Sequence, residues 1–382
     1  MKKIFVIIFA CFYLSFSIYN FLVPAKEFLE NENRYAKKSP EFSFENLFKG
    51  TYTSDYEGYI TDKTAFRDKF VSLKSNSEKL IGKKDNNGVY FCDDGYLIKT
   101  YDNKDYSQIL LGNIDAINQL AKDKNFNVSF SLIPTAYEIL KDKLPKYAYN
   151  DYQIDVMDEV LLNLENVNFI NHLNTLNENK DDYLYFRTDH HQTTHGSYLV
   201  YSDIIKSLGK EPVGKDNFDI KVMSSSFFGT TWSKATVNVK GDEIIKYEPK
   251  FDISYKVNYD MTNESDSLYS EKNIAIKDKY TYYLDGNHGI TTIRTNYRGG
   301  EKLSKENGEK IAIIKDSYSH SIIPFLANHY SEIVVFDLRY YNLNIPSYLR
   351  ENNIKDVLFI YNVDNFIEDN NLRKISAYLQ SK

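Results

Sequence analysis

From about residue 108 onward two hydrophobic periods alternate along the chain, and no other feature restricts its fold as much. Leu110, Ile114, Ile117 and Leu120 recur at helical spacing, and VSFSLI (128–133) is a short strand stopped by Pro134. Ile154, Met157, Val160, Leu161 and Leu164 mark a second helix and VNFIN (167–171) a second strand. Tyr198, Leu199, Ile204, Ile205 and Leu208 mark a third helix, capped by Thr193 or Thr194 and stopped by Gly209. Three further strands follow, IAIIK (311–315), IVVFD (333–337) and VLFIY (357–361), with a helix predicted over SHSIIPFLANHY (319–330). Runs this apolar suit strands buried on both faces. The alternation predicts an α/β domain over 108–382, three layers thick, with a mostly parallel sheet. In such sheets reactive groups collect at the carboxyl ends of the strands.

Residues 215–300 interrupt this rhythm. FDIKVM, ATVNV and FDISYKVNYDM are β-rich and turn-punctuated, and are read as an insertion. Upstream, residues 25–107 read as a juxtamembrane linker, an amphipathic helix carrying Phe66, Phe70, Leu73 and Leu80, and a hairpin around NNGVYFCDDGYLIKT. Before them, Lys2 and Lys3 precede an uncharged apolar run from Ile4 to Val23, ended by Pro24. About 20 such residues span a bilayer. We read residues 1–24 as an uncleaved signal anchor, with a cleaved signal peptide as the alternative. Lysines on the short side place the rest of the chain outside the cell, in a single-pass arrangement. The cysteines, Cys11 and Cys92, are divided between this run and the hairpin, so no intradomain disulfide is expected. Net charge is −6 with both signs interspersed and no basic stripe, which argues against nucleic acid as a partner.

Chemistry is concentrated in two places. YFRTDHHQTTHGSYLVY (185–201) holds Asp189, His190, His191 and His195 within seven positions. More than a hundred residues later, IAIIK runs into Asp316-Ser317, which puts Ser317 on a strand-to-helix turn at the sheet edge. A serine hydroxyl needs a base to attack at neutral pH, and the base needs an orienting carboxylate. Asp189 and His191, two residues apart, can point the same way and supply both. Backbone N–H groups after Ser317, including that of Tyr318, would face a developing oxyanion. Two other readings stay open. Serine is also a favoured helix cap. His191-x-x-x-His195, completed by His288 or Asp189, could chelate zinc, although Gln192 stands where zinc proteases carry a glutamate.

RTDHHQTTHGSYLVY and IKDSYSHSIIPFLANHYSEIVVFDLRYY resemble the two signature blocks of the bacterial family named for its Asp-His-His-Trp (DHHW) motif, a relative of the SGNH-hydrolase-like alginate O-acetyltransferases. Weaker likenesses in YEGYITDKTAFRDKF, SLIPTAYEILKDKLP and DGNHGITTIRTN extend it over most of the exported chain. The resemblance implies an SGNH-like fold with Asp189 as acid, His191 as base and Ser317 as nucleophile. It implies O-acetyl transfer onto a cell-surface or secreted polysaccharide, with a multi-span membrane acyltransferase as donor partner and no cofactor or metal. Arg339, after IVVFD, and Gly286-Asn287 are expected to line the site; Asn362 is a strand-tip candidate. Two positions depart from the pattern: Gln192 replaces the tryptophan, and Lys315 stands where many SGNH enzymes carry glycine. A carbohydrate acetyl esterase and a non-catalytic glycan-binding scaffold are the alternatives.

Overall fold

The computed structural model describes residues 2–101, 106–148, 152–297 and 309–380. The chain divides into two units, Met1–Asn87 with Trp232–Val239, and Gly88–Thr231 with Lys240–Lys382.

The larger unit is built on an eight-stranded sheet. Its strands in chain order are β1 (Asn127–Ile133), β2 (Asn168–Asn171), β3 (Ile253–Tyr259), β4 (Asn263–Ser265), β5 (Ile290–Tyr297), β6 (Lys310–Lys315), β7 (Glu332–Phe336) and β8 (Asp356–Asn362). Their spatial order is β4-β3-β5-β7-β6-β8-β1-β2. The five strands from β7 to β2 are parallel to their neighbours, and β4, β3 and β5 extend the sheet antiparallel. β6 lies inside the parallel block, with Ile313 opposite Val335 on one side and Leu358 on the other. Its side chains from Ile311 to Lys315 are all buried, as expected for a strand with no solvent face.

The helices follow the sequence periodicity with one rotation. Ser107–Lys122 buries Leu110, Ile114, Ile117 and Leu120. Thr194–Ser207 is capped by Thr193, whose hydroxyl accepts from the Gly196 N–H. Gln153–Asn163, however, buries Val156, Met157 and Val160 and leaves Ile154 and Leu161 exposed.

Two expectations change. The stretch read as an insertion is only partly separate. Phe218–Phe227 and Asp242–Pro249 pair as their own ribbon, whereas β3, β4 and β5 join the main sheet. The helix expected over 319–330 is a 3-10 turn, Ser317–Ser321, followed by a single α-turn, Ile323–Leu326. Pro324 accounts for the break, since it lacks an N–H and its ring obstructs the preceding turn. The hairpin around 89–99 forms, with Val89–Phe91 antiparallel to Leu97–Lys99.

In the smaller unit, Lys2–Leu22 forms one helix, and among the described residues it alone is long and apolar enough to cross a membrane. The segment read as one amphipathic helix is two, Thr51–Lys63 and Arg67–Leu80, broken where Phe66 takes a left-handed φ of 58°. There Ala65 N–H donates to Asn20 Oδ1 (2.7 Å) and Phe66 stacks on Tyr19. The segment read as a linker is tied down by Arg34, whose guanidinium grips the buried Asp62 through Nη1 (2.8 Å) and Nη2 (2.7 Å).

Candidate functional site

β6 delivers Asp316 and Ser317 to the carboxyl edge of the sheet. Asp316 N–H donates to Ile360 O (3.1 Å), continuing the parallel ladder one residue beyond the strand. The chain then turns, and the Asp316 carboxylate holds the turn. Oδ1 accepts Tyr318 N–H (2.9 Å); Oδ2 accepts Asn362 N–H (2.9 Å), Asn362 Nδ2 (2.6 Å) and Asn365 Nδ2 (2.9 Å). Burial pushes the Asp316 carboxyl up, and these donors offset only part of the push. Asn362 therefore secures the serine turn from the end of β8. The Tyr318 N–H, expected to face an oxyanion, is consumed as the cap of its own turn, while the Tyr318 hydroxyl donates to His190 O.

The other half comes from the loop before helix Thr194–Ser207. His191 Nε2 lies 2.8 Å from Ser317 Oγ, and His191 Nδ1 lies 2.5 Å from Asp189 Oδ1. The network puts the ring proton on Nδ1 and leaves the Nε2 lone pair facing the serine. Asp189 is buried and well supplied with donors. Oδ1 also accepts His191 N–H (3.0 Å), and Oδ2 accepts Thr230 N–H (2.7 Å) and Oγ1 (3.0 Å). Burial alone would raise its pKa. Electrostatic attraction from the neighbouring His190 and His191 rings and these hydrogen bonds outweigh it, holding the carboxyl well below the usual carboxylate range. Because Thr230 Oγ1 gives its proton to Asp189, it accepts one from His190 Nδ1 (2.6 Å). Gly229 makes this approach possible: a Cβ there would fall 2.2 Å from Asp189 Oδ2.

Two supports are new. Asp242, at the start of the ribbon's second strand, is buried beneath the loop. Its carboxylate accepts Thr188 N–H (2.7 Å), Thr188 Oγ1 (2.6 Å), Arg187 N–H (3.1 Å) and the Tyr183 hydroxyl. Tyr280 lies flat on the His191 ring, with centroids 3.7 Å apart and planes 9° from parallel. Neither stands out in sequence, since each is a common residue type far along the chain from the loop residues it supports.

The remaining candidates form a second group. Lys315 is buried and its ammonium donates to Asp337 Oδ2 (2.8 Å) and faces His320 Nε2 (2.7 Å). So the lysine in the usual glycine position does not crowd the serine turn; its stem runs inward. Burial lowers the Lys315 pKa, and the Asp337 charge opposes that. Arg339 grips Asp337 through Nε (2.9 Å) and Nη2 (2.6 Å), and Nη2 reaches Asn287 Oδ1 (3.2 Å). The Asn287 amide thus has its oxygen occupied and its Nδ2 donors turned away from Arg339. Gly286 precedes it with a φ of 86°, the left-handed value that turns the chain there. Gln192 is buried where the family motif has an indole.

The zinc constellation weighed from sequence is dispersed into carboxylate pairs. His195 Nε2 lies 3.3 Å from Asp182, and His288 Nδ1 lies 2.8 Å from Asp260. Asp189, His190 and His191 do offer ligand atoms within 4.8 Å of one another. Those atoms are already committed to Thr230, Ser317 and one another.

Residues 86–336 match the family model described as DHHW protein. The chain belongs to the DHHW protein family. A DHHW family protein from Eubacterium siraeum has a similar crystal structure, with 23% identity over 78% of this chain and 98% of that one and a TM-score of 0.65. Bacillus cereus PatB1, solved with a sulfonyl adduct, matches at 24% identity over 74% of this chain and 97% of its own, with a TM-score of 0.62. The O-acetyltransferase domain of Pseudomonas putida AlgJ matches at 11% identity over 77% and 99%, with a TM-score of 0.47. No curated protein matches this DHHW chain by sequence.

Proposed function

We propose that this DHHW protein is an SGNH-like serine acyltransferase that moves an acetyl group onto an extracytoplasmic polysaccharide. One observation carries the reading: the unbroken hydrogen-bond chain from Ser317 Oγ through His191 to Asp189, at the carboxyl end of a parallel strand. His191 Nε2 takes the serine proton as Oγ attacks the acyl carbonyl, and Asp189 stabilises the imidazolium and fixes its tautomer. The donor's leaving oxygen departs with that proton, leaving an acyl-serine. A sugar hydroxyl then gives its proton to Nε2 and resolves the ester. The amide of Asn287, oriented by Arg339, is assigned to the acyl oxygen in the tetrahedral state. Tyr318 is left to the architecture of the turn.

The acetyl group and the glycan acceptor rest on the family resemblance, and the sulfonyl adduct on PatB1 fits a nucleophile in a related fold. The helix Lys2–Leu22 is assigned as a single-pass anchor with the larger unit outside the membrane, beside a membrane acyltransferase that supplies the acyl group. The test is the purified chain with a chromogenic acetyl ester, with and without an oligosaccharide acceptor. Acetylated sugar formed at the expense of hydrolysis supports transfer. Hydrolysis unaffected by acceptor identifies an esterase, and no ester cleavage at all identifies a scaffold.

A further inference from the structure

Tyr280 touches both halves of the proposed machinery. Its ring is parallel to the His191 imidazole at 3.7 Å, and its hydroxyl donates to Ser317 O (3.0 Å) and lies 3.1 Å from Ser321 Oγ. One side chain therefore sets the plane of the base and ties down the backbone that carries the nucleophile. The tyrosine is itself held rigidly. It is buried, edge-on to Phe186 and packed on Tyr283. It lies within the short 3-10 segment Lys279–Tyr282, so its backbone is fixed as well. Burial pushes its own phenol well above the ordinary value, so it stays a neutral donor.

The other contacts of His191 do not duplicate this. Asp189 fixes the ring only along its Nδ1–H direction, about which the imidazole can still tip. His190 packs at 3.9 Å but is inclined by 37°, and Tyr318 lies farther off at 5.4 Å. Besides Tyr280 and Tyr318, the charged or titratable groups acting on the ring among the described residues include Asp189, Asp278, His190 and His320. None of these forms a flat surface against it.

We propose that Tyr280 is a positioning residue that couples base to nucleophile, its ring holding the imidazole in the plane that points Nε2 at Ser317 and its hydroxyl pinning the Ser317 turn. The proposal rests on the reading of Ser317 as nucleophile. A geometric error of about 1 Å in such a pair costs on the order of 10²-fold in rate.

The test follows covalent labelling of the full chain by an aromatic sulfonyl fluoride. In that step Ser317 Oγ bonds to sulfur, the S–F bond breaks, fluoride leaves with the electron pair and His191 takes the hydroxyl proton. Tyr280→Leu, which removes ring and hydroxyl, is expected to slow labelling on the order of 10²-fold. Its final stoichiometry should still reach that of the parent. Tyr280→Phe, which keeps the ring, is expected to recover most of that loss and remain about threefold to tenfold slow. With the acetyl ester the loss should fall on kcat and leave KM unchanged. A merely structural role predicts the opposite pattern, a reduced labelled fraction reacting at the parental rate, and that result overturns the proposal. So does parental speed in both variants. If Tyr280→Leu fails to fold, Tyr280→Phe decides alone, and parental speed in it is contradictory. A parent chain that takes up no sulfonyl group overturns the nucleophile reading and this proposal together. A parent that labels while both variants match it overturns only the role of Tyr280.

Discussion

Among the described residues the larger unit contains two serine–histidine–aspartate chains, and they make an instructive pair. In one, Ser317 Oγ, His191 and Asp189 are linked at 2.8 and 2.5 Å. In the other, Ser131 Oγ lies 2.8 Å from His172 Nε2, and His172 Nδ1 lies 3.1 Å from Asp203 Oδ2. By residue type and distance they are close to equivalent. By position they are not. Ser131 sits inside β1, its neighbours Ile360 and Ile170 on the adjoining strands, and both it and His172 are wholly buried. Ser317 sits one residue past Asp316, beyond the end of β6, on a turn that leaves it partly accessible. The carboxylates differ too. Asp189 is buried and accepts from the Thr230 N–H and hydroxyl as well as from His191; Asp203 is less buried and shares its second oxygen with Thr175 Oγ1 (2.9 Å). A hydrogen-bond relay alone thus does not make a reactive serine. An electrophile must reach the oxygen, and donors must surround the charge that develops.

The strongest test of this contrast is to truncate each serine. Ser317→Ala should reduce ester turnover on the order of 10⁶-fold with little change in stability. Ser131→Ala should leave turnover near parental and cost about 1–3 kcal/mol in urea unfolding, because His172 Nε2 loses its buried partner. The reverse assignment of losses would invert the account. Next come the carboxylates. Asp189→Asn should lower turnover about 10⁴-fold, since an amide favours the wrong His191 tautomer. Asp203→Asn should change it less than about threefold, as expected for a residue outside the reacting centre. A smaller effect is expected at Asp242, which reaches the site only through Thr188, Arg187 and Tyr183. Asp242→Asn should lower kcat roughly 10- to 100-fold by letting the loop shift, with KM little changed.

The smallest expected effect is on stability against pH. Asp189 has a folded pKa below its unfolded one, so it binds fewer protons folded than unfolded. Its contribution is present above the unfolded value of about 4 and is lost as pH falls below it towards the folded value. Urea midpoints measured from pH 5 to pH 3 should fall less steeply in Asp189→Asn than in the parent. Equal slopes would mean the carboxylate is not held ionised in the fold.

How much of this was legible in sequence follows from how local each signal is. β6, β7 and β8 are continuous apolar runs, so their burial can be read without knowing their partners. Asp189 and His191 share one loop, and Asp316-Ser317 directly follows a strand, so each half of the site carries its own local cue. Thr230, Asp242 and Tyr280 carry none: a threonine, an aspartate and a tyrosine are unremarkable until folding brings them together. The use of the Tyr318 amide is not legible locally, because its acceptor, Asp316, lies two residues earlier and meets it only once the turn forms. The antiparallel strands β3 and β5 look separate in sequence because alternation breaks before them. Their place in the sheet depends on long-range pairing, such as Ile293 opposite Ile333, which periodicity cannot encode.

The most direct measurement is the site of covalent capture. The intact chain is incubated with an aromatic sulfonyl fluoride under native conditions, digested and mapped by mass spectrometry. The account predicts one stoichiometric adduct, on Ser317, with Ser131 unmodified and the adduct absent from His191→Ala. Label on Ser131, or a Ser317 that stays unmodified while the chain still cleaves acetyl esters, would contradict it.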